Sequence, residues 1–343
     1  MSSRPRTAYR PTLRTAAAAV CTLALACLLS ACGGGGGGGE DSRAAPPASD
    51  FPATDGRTLS DVLQGAGLGS GSEGPVVSPA VRVLRVGENR FSFGVFEVDR
   101  TPVTDATVAV YAAPGADLEG KAIGPFPARI EDLTTDDAFR ARSTADDPNA
   151  AKVAYVSQVP LSKPGKWAFG AIFRAPDGSF SASAIPTPGL VGQFDSVPAA
   201  GDRAPKVSTP TLADVAKVSD IDTRIPPSDM HDESLDQVLG KKPVVLLFAT
   251  PALCQSRVCG PVVDAAEQVK SEYGDRVAFI HMEIYRDNDA GKGVRPQVRA
   301  YRLPSEPWLF VIDRRGRIST EFEGPYSVTE LSDAVRRVAG PPG

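Results

Sequence analysis

The sequence lacks a dense cluster of basic residues and any apolar run long enough to cross a membrane. Across 343 residues, 37 Lys and Arg stand against 41 Asp and Glu, for a net charge of −4. An acidic chain without a basic patch does not attract a polyanion, so nucleic acid is excluded as a partner. The most apolar run, residues 16–29, is shorter than the roughly 20 residues that a spanning helix needs.

Cysteine is also scarce, with five in the chain. Four arginines and no acidic residue precede the apolar run, and small residues follow it. This pattern predicts a secretory signal peptide over residues 1–31, whose removal would take Cys21 and Cys27 with it. The net charge would then change from −4 to −8, because the four arginines leave as well.

The tetrad Leu29-Ser30-Ala31-Cys32 resembles the lipobox of bacterial lipoproteins. The resemblance implies cleavage before Cys32 and acylation of that residue, which would anchor the protein by lipid on the extracytoplasmic face of the cell membrane. The alternative is an ordinary signal peptide followed by a chance cysteine. Cys254 and Cys259 then remain, an even pair in a compartment where disulfides persist.

Composition and periodicity divide the rest of the chain into four segments. Residues 32–75 are rich in Gly, Pro, Ser and Asp and are predicted to be a flexible tether, in which a short helix around Leu59–Leu63 is possible. Residues 76–190 show period-two runs broken by turns, which predicts an all-β sandwich. A Pro-rich linker, 191–210, follows, and the pattern of residues 211–343 is α/β.

The predicted sandwich contains neither His nor Cys, so it is expected to be a spacer or a binding module rather than a catalytic domain. Its period-two runs begin with VRVLRV (81–86), which is predicted to be a strand. The stretch LSKPGKWAFGAIF (161–173) resembles strands of bacterial immunoglobulin-like domains, although the paired cysteines of immunoglobulins are missing.

The C-terminal segment resembles the thioredoxin-like fold, in its redoxin branch, over roughly residues 201–340. The motifs that carry the resemblance are GDRAP (201–205), KKPVVLLFAT (241–250), CGP (259–261) and LPSEPWLFVID (303–313). The resemblance implies a cis proline at Pro307, in a loop beside the reactive cysteines that offers a backbone edge to substrate. Glu306 precedes it, where relatives more often carry an apolar residue or Thr. The expected fold is therefore multidomain, an immunoglobulin-like β-sandwich followed by an α/β thioredoxin-like domain.

The cysteine pair departs from the family pattern Cys-Gly-Pro-Cys. Cys259 and the Gly-Pro after it match the first three positions, but Val262 stands at the fourth and the partner, Cys254, lies upstream. Pro261 suits a first helical turn and places Cys259 at the helix N-terminus, where the helix dipole lowers the pKa of a thiol. Cys259 is therefore the predicted attacking nucleophile and Cys254 the resolving thiol, provided that residues 254–258 are not helical.

Two other roles for the cysteines stay open. A permanent disulfide that only staples the loop would make the domain a redox-inert binding module, although so short a loop contributes about 2 kcal/mol at most. Copper delivery, with His281 joining Cys254 and Cys259, is a minor alternative, because thiolates suit Cu(I). The main prediction requires no metal and no other cofactor.

Glu283 lies on one face of a predicted strand, 276–285, together with His281. A buried His and Glu need partners, so the two side chains could form a hydrogen-bonded pair under a helix. Alternatively, Glu283 lies at the carboxyl end of the strand, where ligands of open α/β sheets collect, and it could accept a proton from the buried thiol.

The sequence thus predicts a membrane-anchored extracytoplasmic thiol–disulfide oxidoreductase that acts on client proteins. Its predicted catalytic residues are Cys254, Cys259 and Glu283, and its predicted substrate-binding residues are Glu306 and Pro307. If the cysteine pair is structural, the partner is another protein that the domain binds without redox chemistry.

Overall fold

A computed structural model of the chain describes residues 42–69 and 74–343, which lie in one compact unit. The predicted signal peptide, Cys32 and the glycine run that follows it lie outside the described residues. Among the helices that are described, none is both long enough and apolar enough to cross a membrane.

Eight strands and two α-helices form the N-terminal part of the described chain. The strands are β1 (Val76–Pro79), β2 (Gly87–Phe96), β3 (Thr107–Pro114), β4 (Ile123–Pro127), β5 (Arg129–Asp132), β6 (Val153–Leu161), β7 (Gly165–Arg174) and β8 (Phe180–Val191). The helices are α1 (Leu59–Gly65) and α2 (Arg142–Ala145). All strand pairs are antiparallel, and they form two four-stranded sheets, ordered β1-β2-β6-β5 and β4-β3-β7-β8.

The two sheets pack face to face around an aromatic core. Phe91 of one sheet stacks on Phe169 of the other, with ring centroids 5.0 Å apart, and Phe93 stacks on Tyr155 at 5.5 Å. All four rings are fully buried, as expected where alternate residues of each strand face the opposite sheet. The predicted sandwich is therefore present, and its immunoglobulin-like character stays a prediction.

Residues 81–86 do not form the predicted strand. The backbone N–H groups of Arg82 and Val83 donate to the two carboxylate oxygens of Glu323, each at 2.9 Å. Because a side chain from the C-terminal domain takes these donors, they are not available for a strand ladder. The first strand of the sheet is β1 instead, just upstream.

Part of the predicted tether is folded. Helix α1 begins at a capping box made by Thr58 and Asp61, and its buried residues pack with Phe51 on the outer face of β3 and β7. The fit is close at Gly170 of β7, where a Cβ would lie 2.5 Å from a methyl carbon of Leu63. The possible helix around Leu59–Leu63 is therefore present, and the flexible tether predicted over 32–75 does not extend over the packed residues 51–66.

The C-terminal part is an α/β domain. Its strands are β9 (Val244–Phe248), β10 (Ala278–Met282), β11 (Trp308–Ile312) and β12 (Ile318–Glu323), and its helices are α3 (Leu235–Val238), α4 (Cys259–Tyr273), α5 (Pro296–Ala300) and α6 (Val328–Ala339). The sheet order is β10-β9-β11-β12, with β10 parallel to β9 and β11 antiparallel to both neighbours. Helices α4 and α6 cover one face of the sheet, and α5 lies on the other. This arrangement resembles the thioredoxin-like fold, and residues 211–343 are called the thioredoxin-like domain below.

The predicted linker, 191–210, is bonded to the end of this sheet. Gly201 N–H donates to the carbonyl of Ile318 at 2.8 Å, and Ile318 N–H donates back to the carbonyl of Asp202 at 2.9 Å. Ala204 N–H then bonds to the carbonyl of Gly316. The linker therefore adds an edge segment beside β12 instead of crossing open solvent.

A buried charge cluster joins the sandwich to the thioredoxin-like domain at Glu330. Its two carboxylate oxygens accept from Arg90 and Arg129 of the sandwich, each at 2.6 Å. Glu330 also forms the capping box of α6 with Ser327, whose hydroxyl donates to Glu131 of the sandwich at 2.6 Å. Burial alone would raise the pKa of Glu330, but the two guanidinium groups hold it below its usual range. The two domains therefore share one ionic network.

Candidate functional site

The two cysteines form a disulfide at the N-terminus of α4. Cys259 is the first residue of the helix, and Cys254 lies in the loop after β9, with 5.9 Å between the two Cα atoms. Residues 254–258 are not helical, which meets the condition for a bridge across this spacing. Arg257 turns the chain through a left-handed conformation, with φ 58°, so that the loop folds back on the helix.

The sheet register brings the other predicted site residues to the same edge. Trp308 and Met282 both pair with Phe248 at the end of β9. Pro307 comes directly before Trp308, and Glu283 directly after Met282. Both residues are therefore level with Ala249, where the cysteine loop begins. The Glu306–Pro307 peptide bond is cis, as the family resemblance implies.

Glu283 is buried but does not pair with His281. One carboxylate oxygen, Oε1, accepts from the backbone N–H and the hydroxyl of Thr223, at 2.8 and 2.7 Å. The other, Oε2, is buried and has no hydrogen-bond partner. The Thr223 hydroxyl oxygen accepts from Ala252 N–H in the cysteine loop at 3.1 Å, so Glu283 is connected to that loop through one side chain.

Glu306 adds a second carboxyl group to this edge. Its side chain is partly buried, and the Tyr285 hydroxyl donates to it at 3.4 Å. Burial raises the pKa of Glu306 to about 7, and the nearby Glu283 carboxylate contributes in the same direction. The predicted substrate edge therefore carries a carboxyl group that gains or loses its proton near neutral pH.

A segment of the sandwich packs against α4 and the cysteine loop, beside the disulfide. The loop between β5 and β6, residues 136–151 including α2, is called the strap here. It contacts Gly260, Asp264 and Gln268, which lie four residues apart on one face of α4. Asp136 N–H donates to Gln268 Oε1 at 2.9 Å, and Ala141 N–H donates to Asp264 Oδ2 at 3.1 Å.

The strap also reaches the cysteine loop itself. Ala151 N–H donates to the carbonyl of Arg257 at 3.1 Å, and Asp147 pairs with the Arg257 guanidinium at 3.4 Å. At Gly260, a Cβ would lie 2.7 Å from the Thr144 hydroxyl oxygen, so the helix approaches the strap closely. The cavity left between them is about 20 Å³, which is room for a single water molecule.

A buried ion pair holds the strap in place. Arg224 donates from Nε to Asp264 Oδ1 at 2.8 Å and from Nη2 to the carbonyl of Phe139 in the strap at 2.6 Å. Burial raises the pKa of the Asp264 carboxyl despite the neighbouring guanidinium. Cys259 is 0% and Cys254 4% exposed, so neither residue faces open solvent.

His281 belongs to a different cluster, beside the cysteine loop. Both histidines of the chain, His231 and His281, lie here with Asp222 and Ser228, and all four side chains are buried. His281 Nε2 donates to the Ala249 carbonyl at 3.1 Å, and its Nδ1 faces Asp222 Oδ2 at 3.3 Å. Both ring nitrogens are therefore directed at groups other than the cysteine sulfurs, and the predicted copper set of Cys254, Cys259 and His281 is not assembled.

The electrostatics of this cluster follow from the pairing. Burial alone would lower the pKa of His281, but the Asp222 carboxylate raises it to about 9. Burial would raise the pKa of Asp222, but the facing histidines hold it far below its usual range. The sequence prediction missed Asp222 and His231, and also the strap; the one available signal was the second histidine in a chain with only two.

Comparison with known proteins gives several similar solved structures, among them the two that follow. No family model and no curated protein matches the chain. A thiol:disulfide interchange protein of the thioredoxin family from Chlorobium tepidum TLS is 20% identical, with a TM-score of 0.29; the match covers 40% of this chain and 96% of that chain. A thioredoxin-like superfamily protein is 16% identical, with a TM-score of 0.28, and the match covers 39% of this chain and 96% of that chain. The thioredoxin-like assignment itself rests on the sheet order and helix positions described above.

Proposed function

We propose that the protein is a thiol–disulfide oxidoreductase whose working pair is Cys254 and Cys259. The observation that carries this proposal is the position of the pair. A disulfide with one sulfur on the first residue of a helix lies level with a cis-proline loop, at the carboxyl end of the central strand. Amides at a helix N-terminus stabilise a thiolate, which makes Cys259 the better attacking and leaving sulfur.

The exchange balances without a cofactor. A client thiolate attacks Cys259 Sγ, the Cys254–Cys259 bond breaks, and Cys254 leaves as a thiolate that takes up a proton. A second client thiolate then attacks its own sulfur in the mixed disulfide and releases Cys259, so the client is oxidised and the chain reduced. The reverse sequence reduces a client disulfide. Glu283 is proposed to carry the proton, because its unpartnered oxygen is buried and it is connected to the cysteine loop through Thr223.

Client access requires a local movement, because both sulfurs are buried, and the strap, which contacts α4 and the cysteine loop, is proposed to be the segment that moves. Glu306 and the Pro307 backbone are proposed to line the substrate edge once it is open. A carboxyl group with a pKa near 7 at this edge would favour clients with basic residues beside their cysteines at alkaline pH.

Trapping experiments test the roles of the two sulfurs. Cys254→Ser should accumulate mixed disulfides with client proteins, since the resolving thiol is missing, whereas Cys259→Ser should accumulate none. The potential of the pair should lie between roughly −270 and −120 mV, the range of catalytic pairs. A potential below about −300 mV, with no trapped client in either variant, would contradict the proposal.

A second candidate function has its own support. A redox-inert binding module with a structural disulfide is favoured by the burial of both cysteines. In that case, Glu283→Gln should leave thiol exchange unchanged in a folded protein. If the oxidoreductase proposal is right, the same variant should slow exchange, because a carboxamide cannot carry the proton.

Attachment to the membrane is the remaining part of the proposal. Cys32 is proposed to be the mature N-terminal residue and to carry more than one acyl chain, because a single chain binds membranes marginally. Cys32→Ser should release the protein to the soluble fraction. If the variant still sediments with membranes at high salt, lipid on Cys32 is not the anchor.

A further inference from the structure

Asp222, Ser228, His231 and His281 converge on a single point. Asp222 Oδ2 lies 2.9 Å from His231 Nε2 and 3.3 Å from His281 Nδ1. The Ser228 hydroxyl oxygen lies 3.2 Å from the first nitrogen, 3.3 Å from the second and 2.7 Å from Asp222 Oδ2. Four nitrogen and oxygen atoms from two parts of the chain therefore surround one small volume.

The hydrogen bond from His281 to Ala249 leaves the other ring nitrogen, Nδ1, facing that volume. Its Nε2 faces the Ala249 carbonyl, which can only accept, so Nε2 carries a hydrogen. Nδ1 then faces the Asp222 carboxylate at 3.3 Å, an approach that is stabilised by a proton on Nδ1 or by a metal ion that takes the place of that proton between the two atoms. A ligating histidine is held in this way, with its second nitrogen bonded to a backbone carbonyl.

Asp222 Oδ2 also has more polar neighbours than one oxygen can bond. Besides the two imidazole nitrogens and the Ser228 hydroxyl, the Ser228 backbone N–H donates to it at 2.7 Å. When both ring nitrogens carry a hydrogen, four donors meet one carboxylate oxygen, which offers about two lone pairs and cannot satisfy them equally. A single cation located between the side-chain atoms would bind all of them and remove the competition for this oxygen.

We propose that this cluster is a structural zinc site, with His231 Nε2, His281 Nδ1 and Asp222 Oδ2 as ligands and the Ser228 hydroxyl at the fourth corner. In a tetrahedral site with bonds of about 2.05 Å, the ligand atoms lie about 3.3 Å apart. Four of the five distances given above are within a few tenths of an ångström of that value, and the Ser228–Asp222 distance must widen on binding. The donors are nitrogen and oxygen without sulfur, so the site is chemically distinct from the cysteine pair.

Burial and position define what the ion would do. The four side chains are almost inaccessible, so the ion is taken up as the chain folds and not from the folded surface. His281 is in β10, whereas Asp222, Ser228 and His231 belong to the segment beside that strand. Zinc would link this segment to β10 through His281, which also bonds to the Ala249 carbonyl directly before the cysteine loop.

Zinc uptake during refolding tests the proposal. The full chain, unfolded with a chelator and refolded without reductant in Zn²⁺, should hold one ion, measured by elemental analysis. Refolding in Co²⁺ should give the visible absorption of a tetrahedral site. His231→Gln and Asp222→Asn should lower zinc affinity by more than about 100-fold, since outer-shell partners alone account for 10–100-fold.

The control is Cys254→Ser/Cys259→Ser, which removes the redox pair and should leave zinc uptake unchanged. This variant also separates the zinc proposal from the proposed thiol chemistry, because it is redox-inert by design. If the refolded wild type takes up no zinc, or if His231→Gln binds it as tightly, the cluster holds only protons and the zinc proposal is wrong.

Discussion

The two domains bury their polar groups differently. The core between the two sheets of the sandwich is aliphatic and aromatic, and its two buried carboxylates, Glu131 and Asp132, accept from Ser327 of the other domain and from Thr134 of the adjoining loop. The thioredoxin-like domain buries Glu323 at its contact with residues 82 and 83, and it buries a larger set near the cysteine loop or beside the strap: Asp222, Arg224, Asp264 and Glu283. Buried charge is costly, so its concentration in one domain indicates where the chemistry lies. From the sandwich, the strap extends to this region and bonds to α4.

The largest expected effect comes from breaking the ion pair under the strap. Arg224→Met leaves Asp264 buried without its partner and removes the bond to the Phe139 carbonyl, so the free energy of unfolding should fall by about 4 kcal/mol. Arg140→Met, which breaks an exposed pair with Asp137 in the strap, should cost less than about 1 kcal/mol. Denaturant unfolding measures both. Equal losses would mean that the buried pair does not hold the strap.

The stability of the sandwich should fall when a buried apolar side chain is shortened. Leu63→Ala removes a fully buried side chain where α1 meets β7 and should cost about 3 kcal/mol. Leu212→Ala, at an exposed leucine, should change stability by no more than about 0.5 kcal/mol. Thiol exchange should be unchanged in both variants. A loss below about 1 kcal/mol for Leu63→Ala would show that the segment is only loosely attached.

The strap should limit the reduction rate of the disulfide. Gly260→Ala places a Cβ against the Thr144 hydroxyl and should displace the strap, so dithiothreitol should reduce the pair roughly 5-fold faster by favouring local opening. Adding Thr144→Ala removes the clash and should restore the slow rate. Free-thiol release follows the reaction. An unchanged rate in Gly260→Ala would mean that the strap does not control access.

The smallest expected effect is a pH dependence at the substrate edge. Folded Glu306 keeps its proton to about pH 7, whereas an ordinary glutamate releases it near 4.5. The fold therefore binds more protons than the unfolded chain in that window, and stability falls as the pH rises through it. Glu306→Gln should reduce this fall, leaving the part due to Glu267, whose pKa burial also raises to about 7. The melting temperature of the variant should therefore gain on that of the wild type from pH 4.5 to 7 and run parallel to it above pH 7.

Two groups face Glu306, namely Tyr285 and Glu283. Glu119→Gln, at an exposed site, should follow the wild-type curve at every pH. A Glu306→Gln curve that runs parallel to the wild-type curve between pH 4.5 and 7 would contradict the raised pKa of Glu306.

Local signals in the sequence were sufficient for much of the C-terminal fold. The apolar run at 243–249 predicted β9, and Ser327 and Glu330 predicted the start of α6, because buried strands and capping boxes depend on neighbouring residues. The position of Cys259 at a helix start was also predictable from the Gly-Pro that follows it.

The remaining features depend on contacts between distant residues. Residues 81–86 have a strand pattern, but Glu323, some 240 positions away, takes their backbone donors. The strap has the composition of a solvated loop, and its partners on α4 lie more than 100 residues further along. His231 lies outside any strand or helix, and no local pattern connects it to Asp222 or His281.

The position of Glu330 also affects how the protein melts. The same carboxylate stabilises the first turn of α6 and binds two arginines of the sandwich, so undocking one domain would weaken a helix in the other. Unfolding of either domain should therefore destabilise the other. Heating should therefore give one cooperative heat-absorption peak for both domains, with a calorimetric enthalpy equal to the van't Hoff value.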